Sequence, residues 1–125
     1  MKVLTFGTAA LLMMTLPLAV HAADRKDAQL AMTQADTAIT SAEHADAAIN
    51  APTTLKTARD MFATAQTSFD HRRWQDSVFN AENATADANL ATAQSRQHRA
   101  EAATAEIETT VRSMREQLGI TGDQP

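Results

Sequence analysis

The sequence predicts an all-α protein, an antiparallel helical hairpin plus an N-terminal helix, and three observations carry that prediction. Small side chains recur at alternating spacings of three and four from Ala28 through Ala31, Ala35, Ala38, Ala42 and Ala45 to Ile49. The same rhythm returns at Ala81, Ala84, Ala88, Ala91, Ser95, His98, Ala102 and Ala105. No stretch between them shows the period-two alternation of a half-buried strand. This spacing is a coiled-coil seam, and filling it with alanine lets helix axes approach to the short end of the roughly 8–10 Å range.

The N-terminus is set apart from the fold. Met1-Lys2 supplies a positive start, and Val3 to Leu18 is a mainly apolar run broken by Thr5, Gly7, Thr8, Thr15 and Pro17. That is the layout of a secretory signal peptide. Val20-His21-Ala22 places compact residues three and one before a cut, so cleavage is expected after Ala22, leaving 23–118 as the helical domain and 119–125 as a flexible tail. No later segment is apolar enough to span a membrane, so no stable membrane anchor is expected once the signal is removed.

Three helices follow in order. The first is expected from about Arg25 to Ala48, with Asp24 as N-cap and Asp27 three residues on in an imperfect capping box. Asn50-Ala51-Pro52 interrupts it: Asn tolerates a left-handed helix end, and Pro52 disfavours the helical region for Ala51 while suiting the first turn of a new helix. The second helix runs from about Pro52 to Phe69 on the seam Leu55, Ala58, Phe62, Ala65, Phe69. Asp70-His71-Arg72-Arg73 is a polar turn, and the third helix runs from about Arg73 to Leu118, where Gly119 stops it.

The four aromatic residues beyond the signal, Phe62, Phe69, Trp74 and Phe79, fall around that turn. An antiparallel hairpin sets Phe69 near Trp74, Ala65 near Val78 and Phe62 near Ala81. The expected core is therefore Leu55, Phe62, Phe69, Trp74, Val78, Phe79 and Leu90, and the expected helix seam is Ala28, Ala31, Ala35, Ala38, Ala42, Ala45, Ala81, Ala84, Ala88, Ala91, Ala102 and Ala105. The far end of the third helix carries Ile107, Val111, Met114 and Leu118, a stripe that needs a partner surface, supplied by the first helix or by another chain. Two geometries satisfy the seams. In a three-helix, tetratricopeptide-like bundle the first helix folds back on the hairpin and touches Leu55 or Phe62. In one long two-stranded hairpin it continues the second helix, opposing Ala45 with His98, Ala42 with Ala102 and Ala38 with Ala105.

Composition narrows function. Only thirteen Leu, Ile, Val and Phe lie beyond the signal, which predicts marginal stability relieved by self-association; alanine, with the best helix propensity and no side-chain entropy to lose, offsets the shortage. The absence of cysteine excludes disulfides, thiolate metal sites, covalent c-type haem, a cysteine nucleophile and a lipid-bearing cysteine. Ten Lys and Arg against fifteen Asp and Glu remain once Lys2 leaves, and with secretion this argues against nucleic-acid binding.

No residues assemble a catalytic pattern, so no enzyme is expected. His44, His71 and His98 form no i, i+4 metal pair. Met32 with His98 is a Met/His pair of the kind that ligates haem, but alanine and threonine around them supply no large apolar walls, and no cofactor is expected. The candidate interaction residues are His71, Arg72 and Arg73, a basic turn beside Trp74 suited to an anionic head group, an acidic partner or a wall polymer, together with His98, the polar oddity of the alanine seam.

Residues 51–93 resemble the bacterial domain-of-unknown-function 4398 family of secreted and lipid-anchored envelope proteins. The resemblance rests on Ala51-Pro52, Leu55, Ala58-Arg59, Ala65, Trp74, Ala81, Ala84 and the closing Asp87-Ala88, Leu90-Ala91 and Ala93. It implies an alanine-rich helical domain of the cell envelope and transfers no catalytic residues. Without the lipid-attachment cysteine, the chain is expected free in the periplasm. These residues include no outer-membrane-protein-A-like domain, so cell-wall contact is not carried over. Where relatives favour glycine before the aromatic, this chain has Arg72; a left-handed residue there costs ~1–2 kcal/mol, so a longer or differently shaped turn is expected. The function expected is a non-catalytic periplasmic interaction or scaffolding protein working through a protein partner or self-association, with a small periplasmic chaperone or stress protein as alternative and a cofactor or metal carrier third.

Overall fold

The computed structural model describes residues 22–119. The expected signal segment 1–21 and most of the expected tail lie outside the described residues. Four helices follow in order: α1 Arg25–His44, α2 Ala47–Asn50, α3 Pro52–Asp70 and α4 Trp74–Gln117, with no strand among the described residues.

The helix starts are set by local chemistry. Asp24 Oδ1 accepts hydrogen bonds from the Lys26 and Asp27 amides at 2.7 and 3.0 Å, and Asp27 Oδ2 accepts from the Asp24 amide at 3.1 Å. The capping box is thus complete with Asp in both positions. Pro52 opens α3, where a missing N–H costs nothing.

The breaks correct two expectations. The first helix ends earlier than the sequence suggests, because Asp46, not Asn50, takes the left-handed conformation, with φ 62°. Its N–H donates to Glu43 O at 3.0 Å, and α2 is a single turn set at a new angle, which leaves Ile49 79% exposed instead of in the seam. The hairpin turn is tight, not lengthened: Arg72 sits at φ 58°. Arg72 N–H donates to Phe69 O and Arg73 N–H to Ser68 O, both at 2.9 Å. That pair of bonds is a Schellman motif with arginine in the position glycine usually occupies. Gly119, φ 66°, ends α4 in the left-handed conformation, its N–H donating to Glu116 O at 3.2 Å.

The helices pack as a three-helix bundle. Ala31 and Ala35 share a cluster with Ala65, Ala81 and Ala84, whereas Ala38, Ile39 and Ala42 share one with Leu55, Ala58, Ala88 and Ala91, against which Phe62 packs. Contact of α1 with Leu55 and Phe62 excludes the long two-stranded hairpin. It also sets chain direction: α1 and α4 run parallel and α3 opposes both. The core is mostly methyl groups, and Leu55 is the largest fully buried side chain. Because alanine leaves little distance between helices, small hydroxyls bridge backbones directly. Ser77 Oγ donates to Ala65 O at 2.9 Å.

The bundle closes at the α1–α2 break. Ser95 Oγ donates to Ala45 O and accepts from Asn50 Nδ2 at 3.0 Å. Thr54 Oγ1 donates to Gln94 Oε1 at 2.7 Å, and Arg99 reaches Asp46 at 3.5 Å. Past Ser95 every residue of α4 is exposed, so about six turns, ~33 Å of helix, project from the bundle.

Several expected core and seam positions are therefore corrected. Ala102, Ala105 and His98 are exposed, because α1 runs parallel to α4 and spends its seam on the 81–91 stretch before turning away beside Ser95. Phe79 and Leu90 are 64% and 50% exposed, since they lie on the side of α4 turned away from α1 and α3. Phe62, Phe69, Trp74, Val78 and Ala45 are half-buried. The other seam alanines, 28 to 42 and 81 to 91, are buried.

Candidate functional site

Two surfaces stand out once the bundle is built, one at each end. The hairpin end carries the predicted basic turn. Phe69 and Trp74 meet edge to face, with centroids 5.0 Å apart at 69°, and with Arg25, Asp70 and Arg72 they line an open recess of about 510 Å³. His71 Nδ1 lies 2.7 Å from Thr67 O, a contact that requires its proton on that nitrogen. Arg73 turns along its own helix towards Asp76 at 3.8 Å. Of the three predicted residues only Arg72 faces the recess. Sequence reading missed Arg25, which arrives there because α1 starts level with α4, and Asp70, whose carboxylate counters the positive charge.

The other end is the projecting half of α4. Ile107, Met114 and Leu118 are more than half exposed and Val111 is 40% exposed. They form one apolar stripe flanked by Glu108, Arg112 and Arg115. His98 stands at the root of this segment, its Nδ1 3.8 Å from Glu101 and its side chain 61% exposed. It is a surface residue of the projection, not a polar member of a buried seam.

The geometry separates the Met32–His98 pair. Met32 packs with Ala81 and Ala84, and His98 lies about 20 Å further along α4. Met32 instead borders a shallow groove of about 480 Å³ between α1 and α3, together with Phe62 and Phe69. Among the described residues no group of three or more His, Asp or Glu is placed to hold a metal ion, and no helix is long and apolar enough to cross a membrane. What the molecule offers chemically is surface: a helix 44 residues long, half of it carried beyond its own core.

Comparison with known families matches residues 30–107 to the Domain of unknown function (DUF4398), a span that takes in nearly all of the bundle and the first turns of the projection. The chain belongs to the DUF4398 family. No curated protein and no solved structure matches it. The DUF4398 match ends at Ile107, the first residue of the apolar stripe, so most of that stripe lies beyond the matched span.

Proposed function

We propose that this DUF4398 protein is a non-catalytic helical interaction or scaffolding protein of the bacterial cell envelope, exported to the periplasm by a signal peptide cut after Ala22. The observation that carries the interaction reading is the projection of α4. A monomer that needed only its bundle has no use for six further turns of helix bearing four large apolar side chains, whose exposure to water is unfavourable. Export rests on the N-terminal layout of charge, apolar run and small residues.

Photo-crosslinking in cells tests the reading. With a photoreactive residue at Val111 or Met114, discrete higher-mass products are expected, and none with the same residue at Thr57, an exposed position on α3. Equal labelling at all three positions, or none at any, rules the interaction surface out. Terminal sequencing of the mature chain is expected to begin at Ala23; a retained Met1 refutes the export half of the proposal.

A further inference from the structure

The exposed apolar residues of α4 are not scattered. Phe79 and Leu90 in the bundle half and Ile107, Val111, Met114 and Leu118 in the projecting half fall on a single alternation of three and four residues that runs along the outer face. The intervening positions of that repeat are asparagine at 83, alanine at 86, 93 and 100, glutamine at 97 and threonine at 104. This is a second heptad seam, distinct from the buried one that starts at Ser77 and Ala81 and faces α1 and α3. Every position of it is exposed except Asn83, which is half-buried.

We propose that the occupant of this seam is a second copy of the chain, paired antiparallel over the full length of α4. The inference rests on the interaction reading above and names its partner. Two features select this pairing. First, the last four positions of the seam are all large and apolar, whereas its alanines lie earlier. Antiparallel alignment sets Met114 against Asn83, Val111 against Ala86 and Ile107 against Leu90, which spreads bulky and small residues along the rod and keeps helix separation more even. The unbranched thioether of Met114 suits the irregular space beside the Asn83 amide.

Parallel alignment stacks alanine on alanine in three layers and bulky on bulky in the last four, which demands two different separations along one rod. Each alanine layer held open by the bulky ones leaves a methyl-sized gap at ~1 kcal/mol, besides the crowding among the large side chains. In return the parallel form brings together two Asn83 amides and two Gln97 amides, neutral contacts at a wet surface worth about 0.5–1.5 kcal/mol each, which does not outweigh that loss. Flanking charge does not reverse the choice: each alignment brings one like-charged pair, Asp87 with Glu108 or Glu82 with Asp87. The Arg96–Glu101 pair gained by the parallel form is an exposed contact of small value.

The second feature is size. The outer seam and the residues beside it amount to about two dozen per chain, within the roughly 20–30 a side that stable interfaces use. Pairing only the projecting halves would engage about half of that. In the full overlap each projecting half lies along the partner's bundle as a fourth helix, related by a two-fold axis, and every exposed large apolar residue of α4 is covered.

Because the chain has no cysteine, introduced thiols report the pairing cleanly. Full-length Leu90→Cys and Ile107→Cys are oxidised separately and mixed. Antiparallel pairing gives a disulfide-linked species with one copy of each variant, while either alone stays unlinked because its two thiols lie about 25 Å apart. Sedimentation of the unmodified chain is expected to show twice the chain mass on concentrating. Ile107→Glu with Val111→Glu is expected to raise the dissociation constant about a hundredfold or more with helicity retained, since charges would replace apolar seam contacts. Self-linking of each single variant, or a single-chain mass up to roughly 100 μM, overturns the proposal. A single-chain mass together with discrete photo-crosslinks to a different polypeptide overturns self-pairing alone and leaves the interaction reading standing.

Discussion

Arg72 holds the hairpin turn in a conformation that an L-residue adopts at a cost of ~1–2 kcal/mol. It does so because the Schellman bonds from Arg72 and Arg73 satisfy the last carbonyls of α3 and fix the direction in which α4 departs. Glycine relieves that strain but loses more backbone freedom on folding, so Arg72→Gly is expected to stabilise the protein by about 0.5–1 kcal/mol net, a rise of a few degrees in melting temperature. Asp46→Gly serves as the contrast. Aspartate tolerates the left-handed region, and its pairing with Arg99 is lost on substitution, so the change should stay within about 0.5 kcal/mol of neutral by denaturant titration.

At the scale of the helices, identical residues on α4 have opposite tolerance according to what lies opposite them. Ala84 is fully buried between α1 and α3, whereas Ala102 continues the same repeat into solvent. Ala84→Leu forces helices apart that methyl groups hold close, and is expected to destabilise by about 1–3 kcal/mol or more, while Ala102→Leu should stay within about 0.5 kcal/mol. Paired thermal melts decide this. Ser95 joins the elements at the top of the bundle, since its hydroxyl bonds both Ala45 O and Asn50 Nδ2. Ser95→Ala removes both bonds from half-buried partners, of which Asn50 Nδ2 keeps its bond to Asp46 O, and should cost about 0.5–1.5 kcal/mol. Ser113→Ala, whose hydroxyl bonds Thr110 O on the exposed projection, should change stability by less than about 0.5 kcal/mol.

At the scale of the whole molecule, an alanine core and an uncovered outer seam belong together. Methyl-sized contacts bury little apolar area per residue, and most of the exposed large apolar side chains that would add to it lie on the outer face of α4, Leu30 and Ile49 being the exceptions among the described residues. If a second copy covers that face, stability depends on concentration by mass action. The melting temperature of the unmodified chain is therefore expected to rise with protein concentration, and that of the Ile107→Glu, Val111→Glu variant is expected to stay constant. A flat dependence for both would mean that the bundle is stable without the seam.

Much of this architecture is legible from local sequence. Asp24 and Asp27, Pro52 and Gly119 act within a turn of themselves, and the alanine repeat states which face of each helix is narrow enough for close packing. Phe69 and Trp74 are five residues apart across a tight turn, so their meeting follows from the hairpin. What short-range chemistry leaves open is the direction of α1 relative to α4 and the length over which they stay together. That outcome depends on Asp46, whose left-handed turn sends α3 back down beside α1 and places the end of the bundle at Ser95. Phe79, Leu90, Ala102 and Ala105 obey the same spacing rules as their buried counterparts; periodicity assigns residues to faces of a helix, and only the assembled bundle determines which faces another helix covers.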